Sequence, residues 1–278
     1  MVPAAGQLPG GLPNPLANLI PAVKNPSVRL KLTIAYDGRP FSGWQIQPNA
    51  DTIQERLESA LAEVAKEPIR LHGSGRTDAG VHAAGQVAHF DAPQQLTMNP
   101  VNWLAALNTK LPATIRIMDC EEAGPDFHAR FSATGKSYDY ELSSAPVLPP
   151  LEAGLAWHLL RPLDPATLQD ALAMFRGTHD FRAFAANRGD ETHETDYTRT
   201  LSEASLATLE TGYLLTFSGN GFLYRMVRLL TGAAVKAAQG YLLLDDLVAL
   251  LDQPPDLPHG KSPLCAPPDG LTLQRVDY

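Results

Sequence analysis

The run Gly73-Ser74-Gly75-Arg76-Thr77-Asp78-Ala79-Gly80-Val81-His82 is the part of this chain richest in potential chemistry, with Gln86-Val87-Ala88-His89-Phe90-Asp91 close behind it. Asp78 stands two residues after Arg76, in a loop whose three glycines make the backbone supple. Strand-like segments flank it, Ile69 to His72 before and Val87 to Phe90 after. A charged pair on a loop held by a rigid scaffold is a common way to present reactive groups. The same residues also make an Asx turn neutralised by its arginine. Charge and spacing alone do not separate the two.

The order of residues adds more. Arg76-Thr77-Asp78-Ala79-Gly80-Val81-His82 within Gly73 to Phe90 resembles the catalytic loop of the tRNA pseudouridine synthase A family. Further segments resemble the family in the same order: Tyr36-Asp37-Gly38 with Gly43-Trp44-Gln45, then Asp126-Phe127-His128-Ala129-Arg130-Phe131-Ser132-Ala133 with Tyr138-Asp139-Tyr140. Phe222 with Arg225-Met226-Val227-Arg228, and Gly270-Leu271 to Tyr278, complete it. The resemblance runs from about Leu30 to Tyr278 and implies isomerisation of uridine to pseudouridine in tRNA.

That reaction breaks the C1′–N1 bond, turns the released base and rejoins it through C5. It needs neither redox change nor loss of a group, so no cofactor and no metal is expected. It does need a carboxylate, a cation to hold it, a platform for the base and an acceptor for the C5 proton. The nucleotide must also be flipped out of its stack. The resemblance makes Asp78 the catalytic carboxylate and nucleophile, with Arg228 as its cation. A guanidinium beside a carboxylate favours the charged form. Arg76 is implied to approach the flipped nucleotide or nearby phosphates; Arg225, three residues before Arg228 and so on nearly the same helix face, is a candidate phosphate contact by its spacing. Without the resemblance, Arg228 would read as a surface arginine on a helix.

Tyr138 is the remaining candidate. Alternation in Ser137-Tyr138-Asp139-Tyr140-Glu141-Leu142 puts Tyr138, Tyr140 and Leu142 on one face. By itself this describes an ordinary strand with aromatic core residues. The resemblance makes Tyr138 the ring that stacks on the target uracil, its hydroxyl a possible C5 proton acceptor, and leaves Tyr140 in the core. Relatives commonly carry more basic residues here; this chain has Gly135, Ser137 and Asp139 around Lys136. His128, Arg130 and Phe131 read as turn and core residues or as RNA surface.

Two cysteines, Cys120 and Cys265, offer no disulfide framework and suit a reducing compartment. Eight histidines are scattered without metal-ligand spacing. No apolar run approaches the roughly 20 residues that cross a bilayer, which points to a cytoplasmic protein. The net charge of −8 opposes non-specific RNA binding, because phosphate contacts require Lys and Arg. Distribution counts for more than the sum. Arg29, Lys31, Arg39, Arg70, Arg76, Arg130 and Lys136 are candidates for a basic cleft, and Arg225, Arg228 and Lys236 lie in a stretch free of acids.

These groups must be positioned by secondary structure. Residues 1–26, rich in proline, glycine and small residues, read as a flexible tail. Leu30, Leu32, Ile34 and Tyr36 alternate with polar residues as a half-buried strand. Thr52-Ile53-Gln54-Glu55 predicts a capping box and helix. Asn99-Pro100 and Asp164-Pro165 open two more helices. Strands are expected at Ile115 to Cys120, Lys136 to Leu142, Leu201 to Leu209, Tyr213 to Ser218 and Leu271 to Val276. Helices are expected over Phe222 to Gln239 and Asp245 to Leu251. The absence of a Gly-rich Rossmann turn favours an antiparallel α+β fold. A proline-rich break at Pro146 to Pro150 separates an N-terminal half, 27–145, from a C-terminal half, 151–278.

The resemblance implies two related α+β halves whose sheets join around a cleft, a homodimer spanning one tRNA, and modification at positions 38 to 40 of the anticodon stem-loop. Family members acting on other tRNA uridines are an alternative. A glycosidase or nucleosidase is another, since it also attacks an anomeric carbon. It would need a second carboxylate about 5 to 9 Å from Asp78, with Asp37 and Asp91 as candidates.

Overall fold

The computed structural model describes residues 28–187, 195–252 and 264–278 together with Met1. Apart from Met1, the expected tail of residues 1–26 lies outside the described residues. The elements in chain order are β1 (Arg29–Tyr36), α1 (Ile53–Ala65), β2 (His72–Gly73), β3 (His82–Asp91), α2 (Pro100–Lys110), β4 (Ile115–Ala123) and β5 (Gly135–Ser143). There follow β6 (Trp157–His158), α3 (Pro165–Met174), β7 (Gly177–Asp180), β8 (Thr198–Leu209), β9 (Gly212–Gly219), α4 (Met226–Ala238), α5 (Leu244–Asp252) and β10 (Leu271–Asp277).

One sheet runs through the protein in the order β4-β1-β3-β10-β5-β9-β8-β7, with β2 added on β3 and β6 on β5. Its pairings are antiparallel except β10 with β3 and β5 with β6. The α+β class with joined sheets is therefore observed. The C-terminal strand β10 forms the seam, parallel to β3 and antiparallel to β5. Gly85 permits that approach: a Cβ there would lie 2.3 Å from the Gln274 carbonyl oxygen. The register then places Ala83, Leu273, Tyr138, Phe217 and Ala204 in one row across five strands.

Alternation in β1 buries Leu30, Leu32, Ile34 and Tyr36, while the central β3 is buried along most of its length. Each buried Leu, Ile or Phe contributes about 1.5–3 kcal/mol by leaving water. Trp103 of α2 lies edge-on to Phe90 of β3, with centroids 5.1 Å apart. In the second half of the sheet, α3 packs against α4, α5 and β8.

Asn99 and Asp164 cap α2 and α3 as expected, each side chain accepting from a backbone N–H three residues on, both at 2.9 Å. The capping box at Thr52 does not form. The helix starts where expected, but the Ile53 and Gln54 amides donate to the carbonyls of Gly43 and Trp44, at 3.1 and 3.0 Å. Tertiary acceptors have replaced the local cap, and they tie α1 to the segment that also holds the Asp78 loop. The long helix α4 begins at Met226 rather than Phe222, because Arg225 adopts left-handed backbone (φ 60°, ψ 11°). The strand expected at Ile69 to His72 is reduced to His72 and Gly73. Among the described residues no helix is long and apolar enough to cross a membrane.

Candidate active site

The Asp78 loop is anchored, and its glycines serve close approach more than mobility. Trp44 donates from its backbone N–H to the Thr77 carbonyl at 3.1 Å. Gly43 makes that contact possible, since with φ +95° its Cβ would lie 2.7 Å from the Thr77 oxygen. The Tyr36 and Thr77 hydroxyls share a buried hydrogen bond of 2.7 Å. Gln86 accepts from the Ser74 hydroxyl at 2.7 Å and donates to the Gly75 carbonyl at 3.3 Å. Gly80, at φ +81°, faces Pro268 of the segment leading into β10, where a Cβ would come within 2.9 Å of Cγ. Both halves of the sheet thus hold the loop.

Arg228 reaches Asp78 from the first turn of α4. Its Nη1 donates to Asp78 Oδ2 at 2.8 Å. Its Nε donates to the Ala266 carbonyl at 2.8 Å, and its own carbonyl accepts from the Ala266 N–H at 3.0 Å. The guanidinium is therefore fixed at both ends. Side-chain exposure is 12% for Arg228 and 18% for Asp78, so the pair is largely but not fully screened from solvent. Arg225 approaches the same oxygen, with Nε at 3.8 Å. That is an ion pair too long for a hydrogen bond, and Arg225 Nε is buried without one. Among the described residues Oδ1 of Asp78 accepts no hydrogen bond, which leaves one carboxylate oxygen for a ligand.

Arg76 is exposed and forms no ion pair with Asp78 among the described residues. The neutralised-turn reading of the loop is therefore not what the fold builds. The partner of Asp78 comes from a distant helix.

Tyr138 sits in β5, the second strand beyond the one the loop feeds into, and is 9% exposed. Its ring meets Phe222 edge-on, centroids 5.0 Å apart at 80°. Burial, and then the neighbouring Tyr36 and Asp78, push its phenol well above the usual range, so the hydroxyl is neutral at physiological pH. Tyr140 is fully buried and donates to the Pro267 carbonyl at 2.7 Å. Asp139 turns away and accepts from the Thr216 hydroxyl at 2.7 Å. In the sequence Phe222 is only one residue of a motif; the fold makes it the wall behind Tyr138.

The other candidate cations divide cleanly. Arg29 is held by Asp91, Lys31 by Glu121, Arg39 by Asp37 and Arg70 by Glu58. Arg76, Arg130 and Lys136 have no ion pair among the described residues, and all three lie on or beside the Asp78 loop. Lys136 donates to the Ser74 carbonyl at 3.0 Å. Burial, reinforced by Arg130, pushes its ammonium down to about 8.

The two candidates for a second carboxylate are both engaged by arginines, Asp91 by Arg29 and Asp37 by Arg39. Asp91 lies at the far end of β3, nine residues from His82, or roughly 30 Å along a strand. Asp37 is engaged by Arg39 through both oxygens. His72, His89 and His128 form a cluster with centroids 4.7 to 5.6 Å apart, His72 stacked on His89 and His128 edge-on to His89. Among the described residues no group of three or more His, Cys, Asp or Glu is arranged to hold a metal ion.

The sequence profile of the family described as tRNA pseudouridine synthase matches residues 32–132 and 171–278. The chain is 54% identical to tRNA pseudouridine synthase A of Akkermansia muciniphila, over 90% of this chain and 95% of that one. It is 41% identical to the enzyme of that name from a Geobacillus species, covering 91% and 99%. It is 42% identical to that of Methylacidiphilum infernorum, covering 90% and 96%. With most of its length matched on both counts, the chain belongs to the tRNA pseudouridine synthase family.

Proposed function

We propose that this protein isomerises uridine to pseudouridine in tRNA, with Asp78 as the nucleophile and Arg228 as its cation. The observation that carries the reading is the 2.8 Å contact from Arg228 to one oxygen of a carboxylate whose other oxygen accepts no hydrogen bond among the described residues. One partly exposed anionic oxygen suffices for attack at C6, attack at C1′ or a glycal route. In each, Asp78 assists cleavage of C1′–N1, the base turns, and C5 bonds to C1′ before the C5 proton leaves.

Tyr138 supplies the platform: its ring is held by Phe222, and base–aromatic stacking is worth about 1–3 kcal/mol. A neutral phenol can receive the C5 proton only by handing on its own. Arg76, exposed on the loop, suits a nucleotide or phosphate contact. The substrate positions we infer are 38 to 40 of the anticodon stem-loop, and the site of action is the cytoplasm. A homodimer spanning one tRNA is part of the same reading; the connection between β5 and β6 offers it exposed Val147, Leu151 and Leu155.

Tritium release from C5-labelled tRNA tests the reaction, since an isomerase frees the label while a hydrolase frees uracil. Release of intact uracil would overturn the assignment. Mapping pseudouridine in tRNA from a strain lacking the protein tests the positions.

A further inference from the structure

A cleft of about 340 Å³ adjoins the site and has no part in the steps above. Its lining includes Ser74 at the start of the Asp78 loop, Arg130, Lys136, Arg199, Asn220 and Phe222. Phe222 is shared, walling the cleft and packing edge-on against Tyr138. The cleft therefore opens one side chain away from the ring proposed to carry the target base.

Its charge is unbalanced. Among the described residues Lys136 meets only a neutral acceptor, the Ser74 carbonyl. Arg130 stacks on Phe131 at 5.7 Å and has no carboxylate within reach among the described residues. Arg199 donates through Nη1 to the carbonyls of Asp196 and Thr198, at 3.1 and 2.6 Å. Among the described residues the one carboxylate of the lining, Asp196, lies 3.9 Å from Arg199, is largely exposed and accepts from the Thr198 N–H. Asp277 of β10, beside Gly135, is taken by Arg275 at 3.0 Å. Among the described residues three cations face one carboxylate, which leaves about two positive charges. Gly75 preserves the arrangement, because a Cβ there would lie 2.5 Å from Lys136 Nζ.

We propose that this cleft is a phosphate subsite, which takes the backbone phosphate of a nucleotide adjoining the target uridine between Lys136, Arg130 and Arg199. The identity of the polymer rests on the pseudouridine synthase reading; the affinity for a phosphodiester does not. An anion removes the repulsion between Lys136 and Arg130 that the free protein carries. It also shows how a chain of net charge −8 engages RNA: the basic groups are few, but they are left unpaired where they are used.

The test is tRNA binding by the full-length protein against KCl concentration. Arg130→Gln and Lys136→Met should each lower the slope of log Kd against log salt by about one. They should raise KM more than they lower kcat. Wild-type binding should weaken from pH 7 to pH 9 as Lys136 loses its proton. Lys136→Arg should keep the slope and abolish that weakening. His128, beside Arg130, is pushed downward by burial and stays neutral across that window. Because Lys136 also holds Ser74, Arg130→Gln reads the charge without disturbing the loop. Unchanged slopes in both variants, or an unchanged pH profile in Lys136→Met, overturn the subsite. If the slopes fall but tritium release fails, the subsite stands and the reaction assignment falls. If tritium is released and the slopes hold, only the subsite falls.

Discussion

Arg228 donates to Asp78 at 2.8 Å across 150 positions of chain, and both residues are fixed by backbone that belongs to neither of their own elements. Trp44 grips the loop at Thr77, and Ala266 grips the guanidinium. The carboxylate and its cation therefore meet only when the two halves of the sheet are joined.

Asp78→Asn should lower C5 tritium release by roughly 10³-fold or more while leaving the fold and much of the tRNA affinity in place. The amide keeps the shape and loses the negative charge. Appreciable pseudouridine formation by a folded variant, with unchanged circular dichroism, would remove Asp78 from the nucleophile's role.

Arg228→Ala should lower kcat/KM by about 10²–10³-fold, the scale of losing one well-placed donor at a reacting charge. Arg225→Ala should cost roughly fivefold, as its 3.8 Å ion pair is longer and its side chain more exposed. Equal losses in single-turnover rate would show that the two arginines share the carboxylate evenly.

Tyr138→Phe should bind tRNA as the wild type does, because the ring and its edge contact with Phe222 persist. If the hydroxyl relays the C5 proton, turnover falls by about 10²-fold or more. A wild-type rate would confine Tyr138 to stacking. Tyr138→Ala should lose the stacking as well.

Gly43→Ala should weaken activity from outside the site. A Cβ at φ +95° would press on the Thr77 carbonyl, with strain of about 1–3 kcal/mol, and must shift either the loop or residues 41–44. Wild-type kcat with a lowered melting temperature would show that the loop keeps its place and the fold absorbs the strain.

Acid should destabilise the protein through His89. Burial, followed by His128, Arg29 and His72, pushes its imidazole down to about 4, against 6.5 when unfolded. Between those values the unfolded chain holds the extra proton, so stability is full above about pH 6.5 and falls as pH drops towards 4. Urea unfolding at pH 4.5 and pH 7.5 should show the difference, and His89→Asn should shrink it. An unchanged difference in that variant would place the acid sensitivity elsewhere.

The sequence by itself settled what is local. Alternation set β1 and β5, Asn99 and Asp164 marked the starts of α2 and α3, and the Arg76–His82 motif with its companions identified the family. These signals depend on neighbouring residues. Tertiary structure decided the rest. It replaced the cap at Thr52 with carbonyls of Gly43 and Trp44, and it delayed α4 through the left-handed backbone of Arg225. It brought Arg228 rather than Arg76 to Asp78, a pairing that the family resemblance implied but that charge and spacing around Asp78 do not carry. It also placed Arg130 and Lys136, without an ion pair among the described residues, next to Phe222 while neutralising Arg29, Lys31, Arg39 and Arg70. No local pattern encodes these outcomes. A side chain's charge partner depends on which strands share a sheet, and here the joining strand β10 is the last element of the chain.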